Sequence, residues 1–136
     1  MEKFTYYIRI MMVMSSQNTM RMVKKSTNQP DETRKFEKGR IDVTNVGDTP
    51  IGKGTFEPGW KWSTHVKPIV GGNSCQVNHT MYVISGKMHV RMDDGSDQEF
   101  GPGDTGLVPP GHDAWVVGNE NFVAVDFTGA KSYAKK

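Results

Sequence analysis

The chain has 136 residues, 35% of them hydrophobic, and a formal net charge of +2. That is about one domain's length, with no run of the ~20 apolar residues a membrane helix needs, and its 15 glycines and 7 prolines suit many tight turns rather than a coiled coil or helical bundle. Charge is uneven: residues 1–40 carry nine Lys or Arg against four acids and the last six residues carry three Lys, whereas residues 41–130 carry five basic and eleven acidic side chains. The basic character belongs to the ends, and the acidic body argues against a nucleic-acid partner.

In chain order, Phe4–Met14 is apolar and interrupted by Arg9, and the Ser15-Ser16-Gln17-Asn18-Thr19 stretch after it offers no small-residue cleavage site. It reads as a retained segment, either an added edge strand or an extension upstream of the domain. Ser26 to Gly39 is polar, with Pro30 in its middle, and reads as linker or loop, so residues 1–39 are taken as an N-terminal arm. From Ile41 onward, short runs of Val, Ile, Phe, Trp and Tyr are separated by Gly, Pro, Asn or Asp every ~8–12 residues, the pattern of an all-β sandwich or barrel. Strands are predicted at Ile41–Val46, Ile51–Phe56, Trp60–Val66, Thr80–Ser85, Lys87–Met92, Gln98–Phe100, Thr105–Val108, Ala114–Val117 and Phe122–Phe127, and no helix-length apolar periodicity appears in 41–130. Asp93-Asp94-Gly95 is the clearest hairpin turn, because Asp and Gly tolerate positive φ. The barrel is expected over 40–128, with a basic tail at 129–136.

Alternation sorts the faces. In Lys87–Met92, Met88, Val90 and Met92 share one face while Lys87, His89 and Arg91 share the other, which places His89 among the charges and outside any site. In Phe122–Phe127, Asp126 lies on the face opposite Val123 and Val125. The remaining histidines, His65, His79 and His112, fall near strand ends or turns. Neutral imidazole is the commonest metal ligand, and three of them with an open position would make a catalytic-type site. Taken singly, each reads as a half-buried structural residue. Cys75 is the single cysteine, which closes no intrachain disulfide and favours a reducing cytoplasm. With no base beside it in sequence, it reads as a small buried apolar residue.

The segment Gly59-Trp-Lys-Trp-Ser-Thr-His65-Val-Lys67, followed by His79-Thr-Met-Tyr82-Val83-Ile84-Ser-Gly86, resembles the first motif of the cupin superfamily, G(X)5HXH(X)3–4E(X)6G. Pro102-Gly103-Asp104 through Val108-Pro109-Pro110-Gly111-His112 resembles the second, G(X)5PXG(X)2H(X)3N. The resemblance spans residues 40–128 and implies a double-stranded β-helix with a pocket at one mouth. The ligand slots depart from the pattern: Lys67 occupies the second His slot and His79 the carboxylate slot, and an enlarged loop, Pro68–Gln76, separates the half-motifs. The second motif aligns in two ways. Anchored on Gly111 it puts Ala114 in the His slot; anchored on Gly118-Asn119-Glu120 it puts His112 there. The second is preferred, because a length change in a turn disturbs less packing than a register shift in a strand.

The resemblance thus implies His65, His79 and His112 as ligands of one divalent transition metal (Zn, Fe, Ni, Mn or Cu), with Lys67, Gln76, Tyr82, Trp62 and Trp115 as ligand-binding or rim residues. Asp113, beside His112, either orients that imidazole through its second nitrogen or bonds its own turn. Two functions follow: a small metal-dependent enzyme of dioxygenase, isomerase or lyase type acting on a small polar metabolite, or a metal-free small-molecule-binding protein. The family also implies a homodimer, and nothing in the chain points to a membrane partner.

Overall fold

The computed structural model describes residues 21–136, and the Phe4–Met14 segment, with its expected edge strand, lies outside the described residues. The order is β1 (Glu32–Phe36), β2 (Gly39–Val46), β3 (Thr49–Phe56), two single-turn helices α1 (Trp62–His65) and α2 (Lys67–Val70), then β4 (His79–Ser85), β5 (Lys87–Met92), β6 (Asp97–Phe100), β7 (Thr105–Val108), β8 (His112–Val117) and β9 (Phe122–Asp126). One antiparallel sheet runs β1-β2-β3-β9-β4-β7 and faces a second that runs β6-β5-β8. This is the all-β architecture expected from the turn spacing, and the double-stranded β-helix that the resemblance implies.

Period-two alternation supplies the core. Met81 and Val83 of β4, Met88 and Val90 of β5, Ala114 and Val116 of β8, and Phe122 and Ala124 of β9 all point inward and are buried. At one end Phe36, Phe56, Trp60, Phe122 and Tyr133 form an aromatic cluster, with the Phe56 and Trp60 ring centroids 4.4 Å apart. Gly86, at φ +75°, carries the chain from β4 in one sheet to β5 in the other, where the Asn121 carbonyl oxygen would clash with an added Cβ, so no side chain fits there.

Three expectations are corrected. Ser26–Gly39 is not all loop: Glu32–Phe36 pairs with β2 as an edge strand, which the reading missed because Phe36 is its one large apolar residue. Trp60–Val66 is not a strand. The chain turns at Pro58-Gly59, and Trp62 and Val66, four apart, bury one helical face at 2% and 0% exposure. Aromatic and β-branched content mimicked a strand, and packing overrode it. The last residues are not a free tail, since Ala130 and Tyr133 are buried. Arg34 of β1 holds them: its Nη1 donates to the carbonyls of Ala130 and Tyr133, both at 2.7 Å, and its Nη2 to that of Lys131 at 3.4 Å.

Candidate metal centre

The enlarged loop brings Cys75 to the start of β8. Cys75 N–H donates to the His112 carbonyl at 2.7 Å and Gly111 N–H to the Cys75 carbonyl at 2.7 Å, so a two-residue bridge fixes the thiol beside His112. His79 opens β4 and His112 opens β8, and both point inward, their ring centroids 5.3 Å apart. One donor atom from each of Cys75, His79 and His112 lies within 4.8 Å of the other two.

Both imidazoles are held from behind. His79 Nδ1–H donates to Asp126 Oδ2 at 2.5 Å, leaving Nε2 facing Cys75 Sγ at 3.9 Å. His112 Nδ1 meets the Pro109 carbonyl at 2.7 Å, and since a carbonyl only accepts, that nitrogen carries a proton and leaves Nε2 as the ring atom available to the site. Oriented imidazoles of this kind are the usual support of metal-bound histidine. The other oxygen of Asp126 accepts from Thr128 N–H at 3.0 Å and Gly129 N–H at 2.9 Å. Gly129 is required there, since an added Cβ would lie 2.4 Å from Asp126 Oδ2 and 2.7 Å from His79 Nδ1.

Electrostatics follow from this geometry. Burial would push the Cys75 thiol up, but hydrogen bonds from His112 and His79 outweigh it and bring the group down to about 6. Burial would push the His79 imidazolium down, but the Asp126 carboxylate and the Cys75 sulfur hold it at about 9. Asp126, despite burial that acts to raise it, is lowered by its bond to His79. Tyr133, whose ring packs edge-on against His79 with centroids 5.5 Å apart, is pushed well up by burial and by the neighbouring Cys75 and Asp126 charges.

The structure therefore unites two of the three expected imidazoles and replaces the third with a thiol. His65 sits on α1 with its Nδ1 accepting from its own Lys61 N–H at 3.0 Å, outside the cluster. Asp113 does not orient His112: it accepts from Ser63 N–H at 3.1 Å and from Ser63 Oγ at 2.8 Å, tying α1 to β8. The carboxylate that supports an imidazole is Asp126; alternation had placed it on the face opposite Val123 and Val125, and the structure shows that face to be the inner one. Cys75 was missed because its bases come from His79 across a loop and His112 across a sheet, neither of them adjacent in the chain.

Trp62, His79, His112, Asp126 and Tyr133 line an interior cavity of about 70 Å³ whose other walls are mostly apolar. Cys75 and Gln76 line a second hollow of about 270 Å³, a groove between the 66–77 segment and residues 132–135, and Trp62 and Tyr133 line both. Tyr82 is 47% exposed on the outer side of β4, and Trp115 faces outward from β8, stacked on His89 at 4.8 Å with the Lys61 ammonium 5.3 Å from its ring. Lys67 lines neither the cavity nor the groove.

The sequence profile of the EutQ-like cupin domain matches residues 70–133. That match covers just under half of the chain, and the barrel it falls in has the cupin-type double-stranded β-helix fold. Among solved structures, a Rhizobium leguminosarum protein of unknown function is similar at TM-score 0.58 and 21% identity, covering 79% of this chain and 96% of that one. A Klebsiella pneumoniae protein with a double-stranded β-helix domain is similar at TM-score 0.54 and 18% identity, over 84% of this chain and 89% of that one. The Lactobacillus farciminis oxalate decarboxylase is similar at TM-score 0.54 and 17% identity, over 75% of this cupin and 32% of that longer chain. No curated protein matches the sequence. At these identities the likeness is one of fold. No helix among the described residues is long and apolar enough to cross a membrane.

Proposed function

We propose that this cupin holds one divalent transition-metal ion on Cys75, His79 and His112 and is a small metal-dependent enzyme of dioxygenase, isomerase or lyase type. The observation that carries the reading is the convergence of three donor atoms within 4.8 Å, two of them on imidazoles whose far nitrogens are already engaged. The donor set fits the group. A thiol drawn toward thiolate and two imidazoles are soft-to-borderline ligands, which favours Zn, Fe, Ni or Cu over Mn. A bound dication supplies Lewis-acid polarisation of a substrate oxygen. The chain's own residues do the rest: Asp126 keeps the proton on His79 Nδ1, Pro109 keeps that on His112 Nδ1, and the apolar walls exclude water. That one structural neighbour is an oxalate decarboxylase supports an enzyme of this class without naming the substrate.

Gln76, on the groove, is our candidate rim residue, and Trp62 our candidate wall residue. His65, Lys67, Tyr82, Trp115 and Asp113 take no part in this reading. A thiol ligand fits a reducing cytoplasm. Tyr82, Ile84 and Leu107, exposed on the larger sheet, and Phe127, exposed just past the end of β9, support association with a second copy, which sedimentation mass decides. The second reading, a small-molecule-binding protein without catalysis, draws on one observation: His79 and Asp126, both lining the cavity, are bound to each other, so neither is an unengaged base there.

Metal analysis tests the proposal. The purified protein should carry one metal ion per chain, and both Cys75→Ser and His79→Ala should lose it while His65→Ala keeps it. Stoichiometric metal that survives in Cys75→Ser, or depends on His65, would remove the thiol from the site.

A further inference from the structure

The interior cavity and the groove have two lining residues in common, Trp62 and Tyr133, which therefore form the wall between them. Every residue lining the cavity is buried except His79, itself only partly exposed, and Cys75 on the groove side is 2% exposed. A small molecule in the groove reaches the three donor atoms only if this wall moves.

The two halves of the wall are held differently. Trp62 stands on α1, which the Ser63–Asp113 bonds tie to β8, and just before it Val116 N–H of β8 donates to the Trp60 carbonyl at 3.0 Å. Tyr133 stands on the last segment, 129–136, which joins neither sheet. The backbone bonds of that segment close its own turn, from Ser132 and Tyr133 N–H to the Gly129 carbonyl and from Lys135 N–H to that of Ser132. Among the described residues, the only other hydrogen bonds made by 130–136 are the three that Arg34 donates to its carbonyls. Glu32 braces the guanidinium in turn, accepting from Nε at 2.9 Å and from Nη2 at 3.1 Å. One charged group thus supplies the whole polar hold on the segment beyond Gly129, and the remainder is apolar packing of Ala130 and Tyr133. Ala134 adds local strain to this arrangement, since its φ of +55° is a left-handed conformation that few residues with a Cβ adopt.

We infer that residues 129–136 form a lid over the candidate metal centre, with Tyr133 as its gate and Arg34 as its latch. Opening swings the Tyr133 ring off His79, joins the groove to the cavity and uncovers Cys75. Arg34, more than 20 Å³ of reasoning aside from the donors themselves, is a positioning residue that acts through Tyr133. The lid goes beyond the metal reading and rests on it only for what lies behind the gate.

Cys75 is the chain's one cysteine, so its alkylation by iodoacetamide in metal-free, full-length protein reads the opening. Arg34→Gln should raise the alkylation rate at least about tenfold, the scale of one hydrogen bond to a charged group, and speed hydrogen exchange at the 130–136 amides with it. Thr33→Val, which removes a β1 hydrogen bond to Asp42 without touching the lid, should leave both unchanged. In Tyr133→Ala the gate is gone, so alkylation should already be fast and Arg34→Gln should add nothing to it. Exchange in β4 and β8 should stay slow in all of these variants. If Arg34→Gln leaves alkylation unchanged, still speeds it in Tyr133→Ala, or speeds it only together with exchange across β4 and β8, the segment is a packed terminus and the inference fails. Should Arg34→Gln not fold, urea decides on the unmutated protein: alkylation through the lid depends weakly on urea, and alkylation that follows the steep dependence of global unfolding overturns the lid. Every arm uses metal-free protein, so a failure of the metal reading, seen as missing metal in the protein as purified, leaves the lid standing.

Discussion

Two histidine–aspartate pairs in this barrel share their chemistry and differ in which face of a strand carries them. His79 and Asp126 meet at 2.5 Å inside the mouth, with side chains 14% and 11% exposed; His89 and Asp97 meet at 2.9 Å on the outside of the smaller sheet, at 25% and 42%. Only the inner pair has a thiol and a second imidazole in reach. The outer pair borders Trp115 and Arg91, and water screens it. A His–Asp pair by itself indicates no site, and what distinguishes the inner one is burial together with converging donors.

The comparison breaks first, and most strongly, at His79. In metal-free protein, His79→Ala leaves Asp126 buried without its partner, and unfolding stability measured by denaturant should fall by about 3 kcal/mol, the scale of a broken buried pair. A fall no larger than that of the outer pair would show that burial adds nothing.

Protonation comes next in size. Cys75 titrates at about 6 in the folded chain against its ordinary 9.0, so its gain is present above 9.0 and is lost as pH falls through about 6. His79 titrates at about 9 against its ordinary 6.5, so its gain is present below 6.5 and is lost as pH rises through about 9. Between 6.5 and about 9 the two slopes oppose, and the pair should leave stability nearly flat with pH. Ultraviolet thiolate absorbance of metal-free protein should nonetheless be full at mildly alkaline pH and fade as pH falls through about 6. Asp126→Asn should move that fading to higher pH, because an unsupported imidazolium stabilises the thiolate less. A fading that stays put would detach Asp126 from the site. The smallest effect belongs to the outer pair: His89→Ala should leave metal content and melting temperature unchanged within measurement error.

Strand positions were readable because alternation and turn chemistry are local. Met88, Val90 and Met92 against Lys87, His89 and Arg91 told which side of β5 is wet, and the same rule set Asp126 on the face opposite Val123 and Val125 without saying which of the two is inward. Trp60–Val66 defeated that rule because a single helical turn is too short to show a period, and Trp62 is held by what packs against it rather than by its neighbours in the chain. Glu32–Phe36 defeated it as well, since an edge strand with one large apolar residue is held by hydrogen bonds to β2.

At the site the division has the same cause. His79 and His112 announced themselves through motif spacing, which runs along the chain. Cys75 joined them, and His65 left, through distances across the barrel: a bridge from the 71–78 loop to β8, and a helix where a strand was expected. Local pattern settles the direction of a side chain, but which side chains share a few ångströms depends on how β4, β8 and the loop between α2 and β4 close on one another, and no periodicity in the residues encodes that closure.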